Sequence, residues 1–378
     1  MIGYAVLSGF AGASHIVVGR FYGERKYDEI RPTVFTMGVA GMSLGVLMTV
    51  LYIAFSRAVF VAMRLPEEIL TQCTELAIIY ALSFPLTGIQ GAAGAVINGS
   101  GNSKMQTTIC VNTQILNIVL DVIIISGFGI GVEGAAWASD FSMLVSCIWN
   151  VACAHLILKK KTQAKMYFSK TALKEYLPLA VPAIIQSSVL SIGTMVLQVI
   201  VNQAGIEYIN GYTVATTIFN LLLLPIVATS VGFETFASQN IGAKAQDRVR
   251  EGYHFLIKEG VAVCIVLTVT DIFFSGAMMS IYSLDVTGSG YAFAKMYLYL
   301  MIPNFFLQLV KYSIEALFKA NLKMNLFAAS SILSLVCRIG FAFLTVSSLG
   351  FITMAWALLF GSAISAAFNI FWKKKLSL

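Results

Sequence analysis

Two halves of this chain repeat each other. The pattern G-x-[RK]-x-x-D-x-[IV]-R occurs twice, as do N-x-K-M and Ala-Trp-Ala, and every pair lies at the same offset of 219 residues. The paired first residues are Gly23 and Gly242, Asn102 and Asn321, and Ala136 and Ala355. Three such signatures in one register are not expected by chance, so residues 1–159 and 220–378 are predicted to share one fold, without gaps in their alignment.

The composition restricts this fold to a membrane. The chain has 378 residues, of which 58% are hydrophobic and 11% charged, whereas a soluble domain carries about 25% charged residues. Apolar stretches repeatedly reach ~20 residues, the length that crosses a bilayer core. We predict an all-α polytopic membrane protein with about eleven transmembrane helices, at 1–20, 34–60, 72–99, 106–127, 132–158, 176–203, 208–240, 252–280, 289–318, 323–347 and 350–372.

The chain shows no signature of an enzyme or of a metal site. Its six cysteines stand singly in apolar runs without a C-x-x-C pair, and its three histidines are scattered. The nucleophile-elbow, zinc-protease and P-loop patterns are absent from the sequence. We therefore expect no catalytic residue, no bound metal and no cofactor apart from a transported H⁺ or Na⁺.

The positive charges predict the orientation of the protein in the membrane. Most of the 25 Lys and Arg residues fall in alternate loops, above all in the stretch 159–175 and in Lys373, Lys374 and Lys375. Positive loops stay in the cytoplasm, so the C-terminus is predicted to be cytoplasmic. This placement explains the net charge of +7 without a nucleic-acid partner.

The repeat and the loops together predict the domain organisation. Both copies of the motif at Gly23 and Gly242 fall on the same side, which indicates parallel repeats. We predict an N-lobe at 1–159, a cytoplasmic basic linker at 160–175 and a six-helix C-lobe at 176–378. Since the helix at 176–203 has no partner in the first half, we expect its counterpart to precede Met1 and the N-lobe to be truncated to about five helices.

Polar stripes run along three of the predicted helices at helical spacing. Their members are Gln114, Asn117 and Asp121; Ser187, Ser191, Thr194, Gln198 and Asn202; and Asn304, Gln308, Lys311 and Glu315. Each stripe is one helix face, which either bonds to a neighbouring helix or lines a polar cavity. Asp140 joins Gln198, Asn304, Gln308, Lys311 and Glu315 as a candidate for a substrate cleft, although Lys311 and Glu315 can also form a local i,i+4 ion pair.

Asp121 is the strongest candidate for a functional residue. A carboxylate within a membrane helix is a functional-site hypothesis by default, and the alternative is a structural hydrogen bond. Asn117, one turn earlier, is predicted to donate to Asp121, with Gln114 in support. Such a site can exchange H⁺ or Na⁺ for a cationic substrate.

Several segments resemble the multidrug and toxic compound extrusion (MATE) family. They are LNIVLD at 116–121, GFGIGVEGAA at 127–136, QNIGAK at 239–244 and GSGN at 99–102. The resemblance implies two lobes of six helices and export of organic cations in exchange for H⁺ or Na⁺. It also implies that Asp121 and Asn117 take part in cation coupling, together with a carboxylate on the family's first helix. Some members use a Glu on the helix equivalent to 176–203, where this chain has Gln186 and serines.

The function predicted from the sequence is a secondary efflux antiporter of the plasma or inner membrane. It would act as a monomer on small cationic or amphipathic molecules by alternating access. One alternative is a flippase for lipid-linked oligosaccharides, whose anionic substrate would need cations such as Lys258, Lys295, Lys311 and Arg338. Another is a membrane protein that has lost transport and serves as a sensor or scaffold.

Overall fold

The computed structural model describes residues 2–62, 67–202, 206–282 and 288–375, and these are almost entirely helical. Twelve α-helices follow one another within these residues: α1 (Ile2–Gly23), α2 (Tyr27–Ala62), α3 (Glu67–Leu82), α4 (Phe84–Gly99), α5 (Ser103–Asp121), α6 (Gly131–Lys159), α7 (Lys170–Asn202), α8 (Ile206–Gly242), α9 (Gln246–Ile281), α10 (Ser289–Ala320), α11 (Met324–Leu349) and α12 (Thr353–Lys375). The predicted all-α class is confirmed.

The largest differences from the predicted bounds lie where polar residues continue a helix. α2 begins at Tyr27, ahead of the predicted residue 34, because Asp28 and Glu29 occupy its first turn, where carboxylates favour the helix dipole. α7 likewise begins at Lys170, so only 160–169 of the predicted linker is non-helical.

Two predicted helices are also interrupted. The segment 72–99 divides at Ser83, the N-cap of α4, because Pro85 in the first turn of α4 has no N–H for a continuous ladder. After α5, the chain widens into a π-helical turn, Val122–Gly127. π-Turns inside helices are frequent at functional sites.

Nine stretches among the described residues are long and apolar enough to cross a membrane. One of them, Leu70–Gly99, combines α3 and α4, and another, Met324–Lys375, holds both α11 and α12. The set does not include α1. α1 nevertheless packs along α2 and α4, so the predicted first helix is present as a helix of the bundle.

The chain divides into two compact units. Unit 1 comprises Met1–Ser187 and Gly242–Lys244, and unit 2 comprises Ser188–Ile241 and Ala245–Leu378. The lobe boundaries predicted from the repeat stay a prediction, because compactness and sequence repetition are different properties.

Unit 1 is centred on α4, which packs against α1, α2 and α6. The approach of α2 to α4 is close because both helices present glycine: a Cβ on Gly41 would lie 2.7 Å from the Gly88 carbonyl oxygen. The Tyr176 hydroxyl of α7 donates to the Phe10 carbonyl and lies 3.0 Å from Ser14 Oγ, which fastens the first half of α7 to α1.

Unit 2 is centred on α10, which packs against α9, α11 and α12. Its main core contains apolar residues of α7 to α12, among them Phe219 and Phe305, whose rings stack with centroids 5.5 Å apart. The packing pairs α4·α6, α5·α6 and α2·α4 of unit 1 have counterparts in α10·α12, α11·α12 and α9·α10. Each unit thus has the internal arrangement that the sequence repeat predicts.

The first copy of the repeated motif fastens the basic linker to α2. Thr162 Oγ1 donates to an Asp28 carboxylate oxygen, and Arg31 Nη1 donates to the Ala164 carbonyl over 2.8 Å. Further along, the Ser169 N–H donates to Thr36 Oγ1 over 2.9 Å. Asp28 and Arg31 of this motif copy therefore hold the segment that follows α6.

The backbone conformations of the turns agree with the repeat at one loop and depart from its register at another. Arg25 and Lys244 both have φ 59°, a left-handed backbone at equivalent places of the two copies. In contrast, Asn102 is the N-cap of α5, whereas Asn321 follows the end of α10 and Lys323 caps α11. Both turns contain three residues, but the second is displaced by two residues relative to the sequence repeat, so the predicted gapless alignment is wrong here.

The α1–α2 turn also carries a small charge cluster. The Glu24 carboxylate lies 2.9 Å from Lys26 Nζ and 3.0 Å from Arg20 Nε. The hydrogen bond from Lys26, and then that from Arg20, holds the pKa of Glu24 below its ordinary value of 4.5.

Candidate functional site

Asp121 lies where α5 changes into the π-helical turn. The residue is half-buried, and its Oδ1 is buried without a hydrogen-bond partner among the residues that the structure describes. A buried carboxylate oxygen without a donor is costly in a structural role. The position is therefore suited to binding a proton or a small cation from outside the chain.

Asn117 does not donate to Asp121 as predicted. Its Nδ2 donates to Ser139 Oγ on α6 over 3.3 Å. The bond joins α5 to α6 one turn before Asp121 and fixes the Asn117 amide plane. Gln114, the predicted third member, is exposed on α5.

Asp140 forms a second polar position of unit 1. It follows Ser139 on α6, so the two side chains point about 100° apart around the helix. Asp140 lies close enough to Tyr4 and Ser83 to interact with both electrostatically. The Ser83 hydroxyl, however, lies 3.0 Å from the Tyr4 hydroxyl and donates to the Tyr80 carbonyl, and both Asp140 oxygens are buried without a hydrogen-bond partner in the described ranges.

A cavity of about 420 Å³ opens beside Tyr4. It is lined by Tyr4, Ala5, Leu7, Ser8, Ala11 and His15 of α1, by Thr87, Gln90, Gly91 and Gly94 of α4, and by Gln106 of α5. Two acceptors near Gly94, Gln106 Oε1 and Asn150 Oδ1, are buried and have no donor within the described part of the chain. The cavity is therefore chemically prepared for a ligand that brings N–H or O–H donors.

In unit 2, the predicted cleft residues of α10 are buried in a polar layer. Glu315 is 3% exposed, and its Oε1 accepts from Ser330 Oγ over 3.0 Å and from Ser331 Oγ over 3.5 Å. Lys311 is 8% exposed, and its Nζ lies 5.3 Å from the centre of the Tyr312 ring. The ion pairs of the described residues do not include Lys311 and Glu315, so the predicted i,i+4 pair is wrong. Serines of α11 satisfy Glu315 instead.

The remaining cleft candidates are not brought to one point. Gln308 donates to Ser362 Oγ of α12 over 3.4 Å, and its Oε1 has no partner among the described residues. Asn304 lies within the apolar core and donates to Met301 Sδ over 3.6 Å. Gln198 is exposed on α7.

Three polar features were missed or left unassigned by sequence reasoning. Ser139 gave no signal, because a single serine before an aspartate is common on helices. Glu234 and Lys319 form an ion pair of 2.9 Å in unit 2, between residues 85 apart, which no local pattern reveals. Asp271 of α9 is 0% exposed, and both of its oxygens have no partner among the described residues.

The fold and these sites define a class of protein. Long apolar helices in two units of similar internal packing, with lone carboxylates inside them, are the features of a polytopic transporter built from a duplicated bundle. The MatE family model matches residues 1–123 and 182–344. The chain belongs to the MatE family.

Two bacterial relatives illustrate the range within the family. "Probable multidrug resistance protein YoeA" of Bacillus subtilis is 26% identical over 252 residues, which make up 64% of this chain and 54% of that protein. The "FAD transporter" of Shewanella oneidensis is 22% identical over 197 residues, or 50% of this chain and 43% of that protein. These alignments span about half the length of the relatives.

Solved structures show the same fold. A "multidrug resistance MATE family transporter of the MOP superfamily" in an outward-facing conformation aligns with a TM-score of 0.89 at 20% identity, over 99% of this chain and 85% of that chain. A "MOP superfamily transporter from Pyrococcus furiosus" with a reversed polarity of its binding pocket aligns with a TM-score of 0.90 at 20% identity, over 99% and 85%. The fold thus accommodates binding pockets of different polarity.

Proposed function

We propose that the chain is a secondary active efflux antiporter that exports organic cations and amphipathic molecules in exchange for H⁺ or Na⁺ by alternating access. The observation that carries the proposal is the buried Oδ1 of Asp121, which has no donor among the described residues and lies one turn beyond the Asn117–Ser139 bond. A carboxylate in that state binds a proton or a small cation readily, and it loses that ion when the site opens to water of another pH or Na⁺ concentration.

The positioning role falls to Asn117 and Ser139. Their hydrogen bond uses one Nδ2 proton of Asn117 and holds α6 against α5. The side-chain amide oxygen of Asn117, Oδ1, stays available as a neutral ligand. A hard cation such as Na⁺ prefers oxygen ligands, and Asp121 with Asn117 offers both a charged and a neutral oxygen. The same carboxylate with a proton serves H⁺ coupling, so the choice of ion stays open.

The cavity beside Tyr4 supports substrates that are cationic or rich in N–H donors. Its volume of about 420 Å³ falls in the range of small-molecule sites, roughly 300–1,000 Å³. Its walls combine small apolar residues with Gln106, whose Oε1 has no hydrogen-bond partner among the described residues. The name of the Bacillus subtilis relative, a probable multidrug resistance protein, agrees with small-molecule substrates in general.

The test is dye efflux from vesicles that contain the purified protein. With Asp121→Asn, we expect accumulation of a cationic dye to lose its dependence on an imposed pH or Na⁺ gradient and to fall to the level of protein-free vesicles, since the amide cannot gain and lose a charge. The yield of membrane-inserted protein should be unchanged. Normal gradient-driven efflux by the Asp121→Asn variant would refute the assignment of Asp121 as the coupling residue.

Glu133→Gln is the matched control. Glu133 is exposed in the first turn of α6, and its neutralisation removes the same charge from the same unit. Wild-type efflux is expected for this variant. If vesicles with wild-type protein show no efflux under either gradient, the result favours the alternative of a flippase or of a non-transporting scaffold.

A further inference from the structure

A basic groove crosses the surface of unit 2, far in sequence from the residues proposed for coupling. It has a volume of about 690 Å³. Its walls are the beginning of α9 and the end of α12, and its floor is α10. The lining residues are Tyr253, His254, Ile257, Lys258, Val261, Val310, Ile314, Ile370, Lys373 and Lys374.

The charge of the groove has one sign. Three lysines and one histidine line it, and none of the described lining residues is acidic. Lys373 does not extend into water: it is half-buried, and its Nζ lies 3.4 Å from the centre of the Tyr253 ring. This cation–π contact holds the end of α12 against the start of α9, with the ammonium directed toward the groove wall.

The groove lies where both helices change from polar to apolar. α9 is rich in charged residues up to Glu259 and is mostly apolar from Gly260 onward, with Asp271 as its one charged residue there, and α12 has no charged residue before Lys373 and is basic afterwards. Exposed rings flank the groove, with Phe255 65% and Phe371 59% exposed. Cations at one end and exposed apolar surface beyond them match a molecule with an anionic head and hydrocarbon tails.

The repeat shows that this chemistry is not a requirement of the fold. At the offset of 219, the residues equivalent to Tyr253, His254, Lys258, Lys373 and Lys374 are Val34, Phe35, Val39, Ala154 and His155. The equivalent surface of the first half therefore lacks the lysines. A general rule that basic residues stay on one side of the membrane does not explain why Lys258, Lys373 and Lys374 line the same groove.

We propose that this groove binds an anionic phospholipid of the surrounding bilayer, with the phosphodiester at Lys258, Lys373 and Lys374 and the acyl chains along Val261 and Ile370. Basic pockets between transmembrane helices at the membrane surface are sites of this kind. The bound lipid ties the first turns of α9 to the last turns of α12, and both helices pack on α10. The protein should therefore be more stable in membranes that contain anionic lipid.

The experiment compares lipid retention by native mass spectrometry of the full chain, purified and then exposed to phosphatidylglycerol or phosphatidylcholine. We expect wild-type protein to retain phosphatidylglycerol preferentially and to melt at a higher temperature with it. Lys258→Gln/Lys373→Gln/Lys374→Gln should weaken phosphatidylglycerol binding by roughly 100-fold, since each cation near a membrane contributes roughly fivefold. The same three positions changed to Arg should retain it.

The matched control removes equal charge elsewhere. Lys159, Lys160 and Lys165 are exposed in and before the basic linker, and their triple change to Gln should leave the lipid preference unchanged. An equal loss in this control, or equal retention of phosphatidylcholine by wild-type protein, would overturn the proposal. Displacement of the lipid by inorganic phosphate at millimolar concentration would also overturn it, because it would show a site for a free anion. If the groove triple does not fold, Lys258→Gln alone gives the test, because Lys258 is exposed.

Discussion

At the scale of single residues, the most informative feature is a set of three carboxylates whose hydrogen bonding is incomplete within the described part of the chain. Asp121, Asp140 and Asp271 all have buried oxygens without a partner among the described residues. A buried carboxylate without donors costs free energy, and a protein retains it for a function or compensates for it elsewhere. Asp121 and Asp140 lie in unit 1 near the proposed coupling site and cavity, whereas Asp271 lies in unit 2.

We predict that Asp271→Asn stabilises the fold. Asn has nearly the shape of Asp but cannot carry the charge that is costly at a position 0% exposed, so the free energy of unfolding should rise by roughly 1–3 kcal/mol. Thermal unfolding of the purified protein in detergent at neutral pH measures this. Glu251→Gln, exposed on the same helix, should leave the melting temperature unchanged. A lower melting temperature for Asp271→Asn would show that an unseen partner holds the carboxylate.

Sequence patterns identified the polar residues more reliably than their partners. The 3.6-residue period placed Asn117 and Asp121 on one face of α5, and both are half-buried there. The partner of Asn117 proved to be Ser139 of α6, and that of Glu315 proved to be serines of α11. Partners on another helix depend on how the helices are rotated against each other, and that rotation is not contained in the periodicity of one helix.

At the scale of secondary-structure elements, the linker after α6 is held against α2 by side-chain contacts. Arg31 of α2 reaches the Ala164 carbonyl, Asp28 accepts from Thr162, and Lys161 Nζ lies 5.4 Å from the centre of the Tyr27 ring. The sequence predicted a solvated loop from its lysines. It could not predict the anchoring, because a loop's composition does not show which helix it crosses.

We predict that Arg31→Gln detaches the linker from α2. A hydrogen bond from a charged group contributes roughly 1.5–3 kcal/mol, so tryptic cleavage at Lys160, Lys161 and Lys165 should accelerate on the order of tenfold. The measurement is limited proteolysis of the purified protein followed by mass spectrometry of the fragments. Arg250→Gln is the control at the equivalent place of the second motif copy, where Arg250 is exposed. Equal acceleration in both variants would mean that the Arg31 bond does not hold the linker.

At the scale of the whole molecule, the duplication was the most reliable guide to the fold. It predicted that each half has the same helix packing, and the pairs around α4 and α10 agree with this. Helix count followed from apolar length, but the division at Ser83 did not, because a proline within an apolar run is often tolerated in membrane helices. The two-residue shift at Asn321 was hidden because Asn occurs both as an N-cap and at a helix end.

The orientation of the chain remains a prediction from its charges. Lys373, Lys374 and Lys375 close α12, and the basic linker lies after α6. We expect the C-terminus to face the cytoplasm, because lysine-rich segments are retained on that side. A green fluorescent protein fused after Leu378 should fluoresce, and alkaline phosphatase at the same place should be inactive. The reverse pair of results would contradict the orientation, and fusions within the 160–169 segment should behave in the same way as the C-terminal ones.

The glycine contact between α2 and α4 limits how unit 1 can change shape. Gly41 and Gly88 bring the two backbones together so closely that any side chain would collide with the opposite carbonyl. At such a contact no side chains lie between the two backbones. The helices therefore cannot slide along each other by repacking side chains. In any conformational change of unit 1, we therefore expect α2 and α4 to move together as one rigid pair, and other helix contacts to rearrange instead.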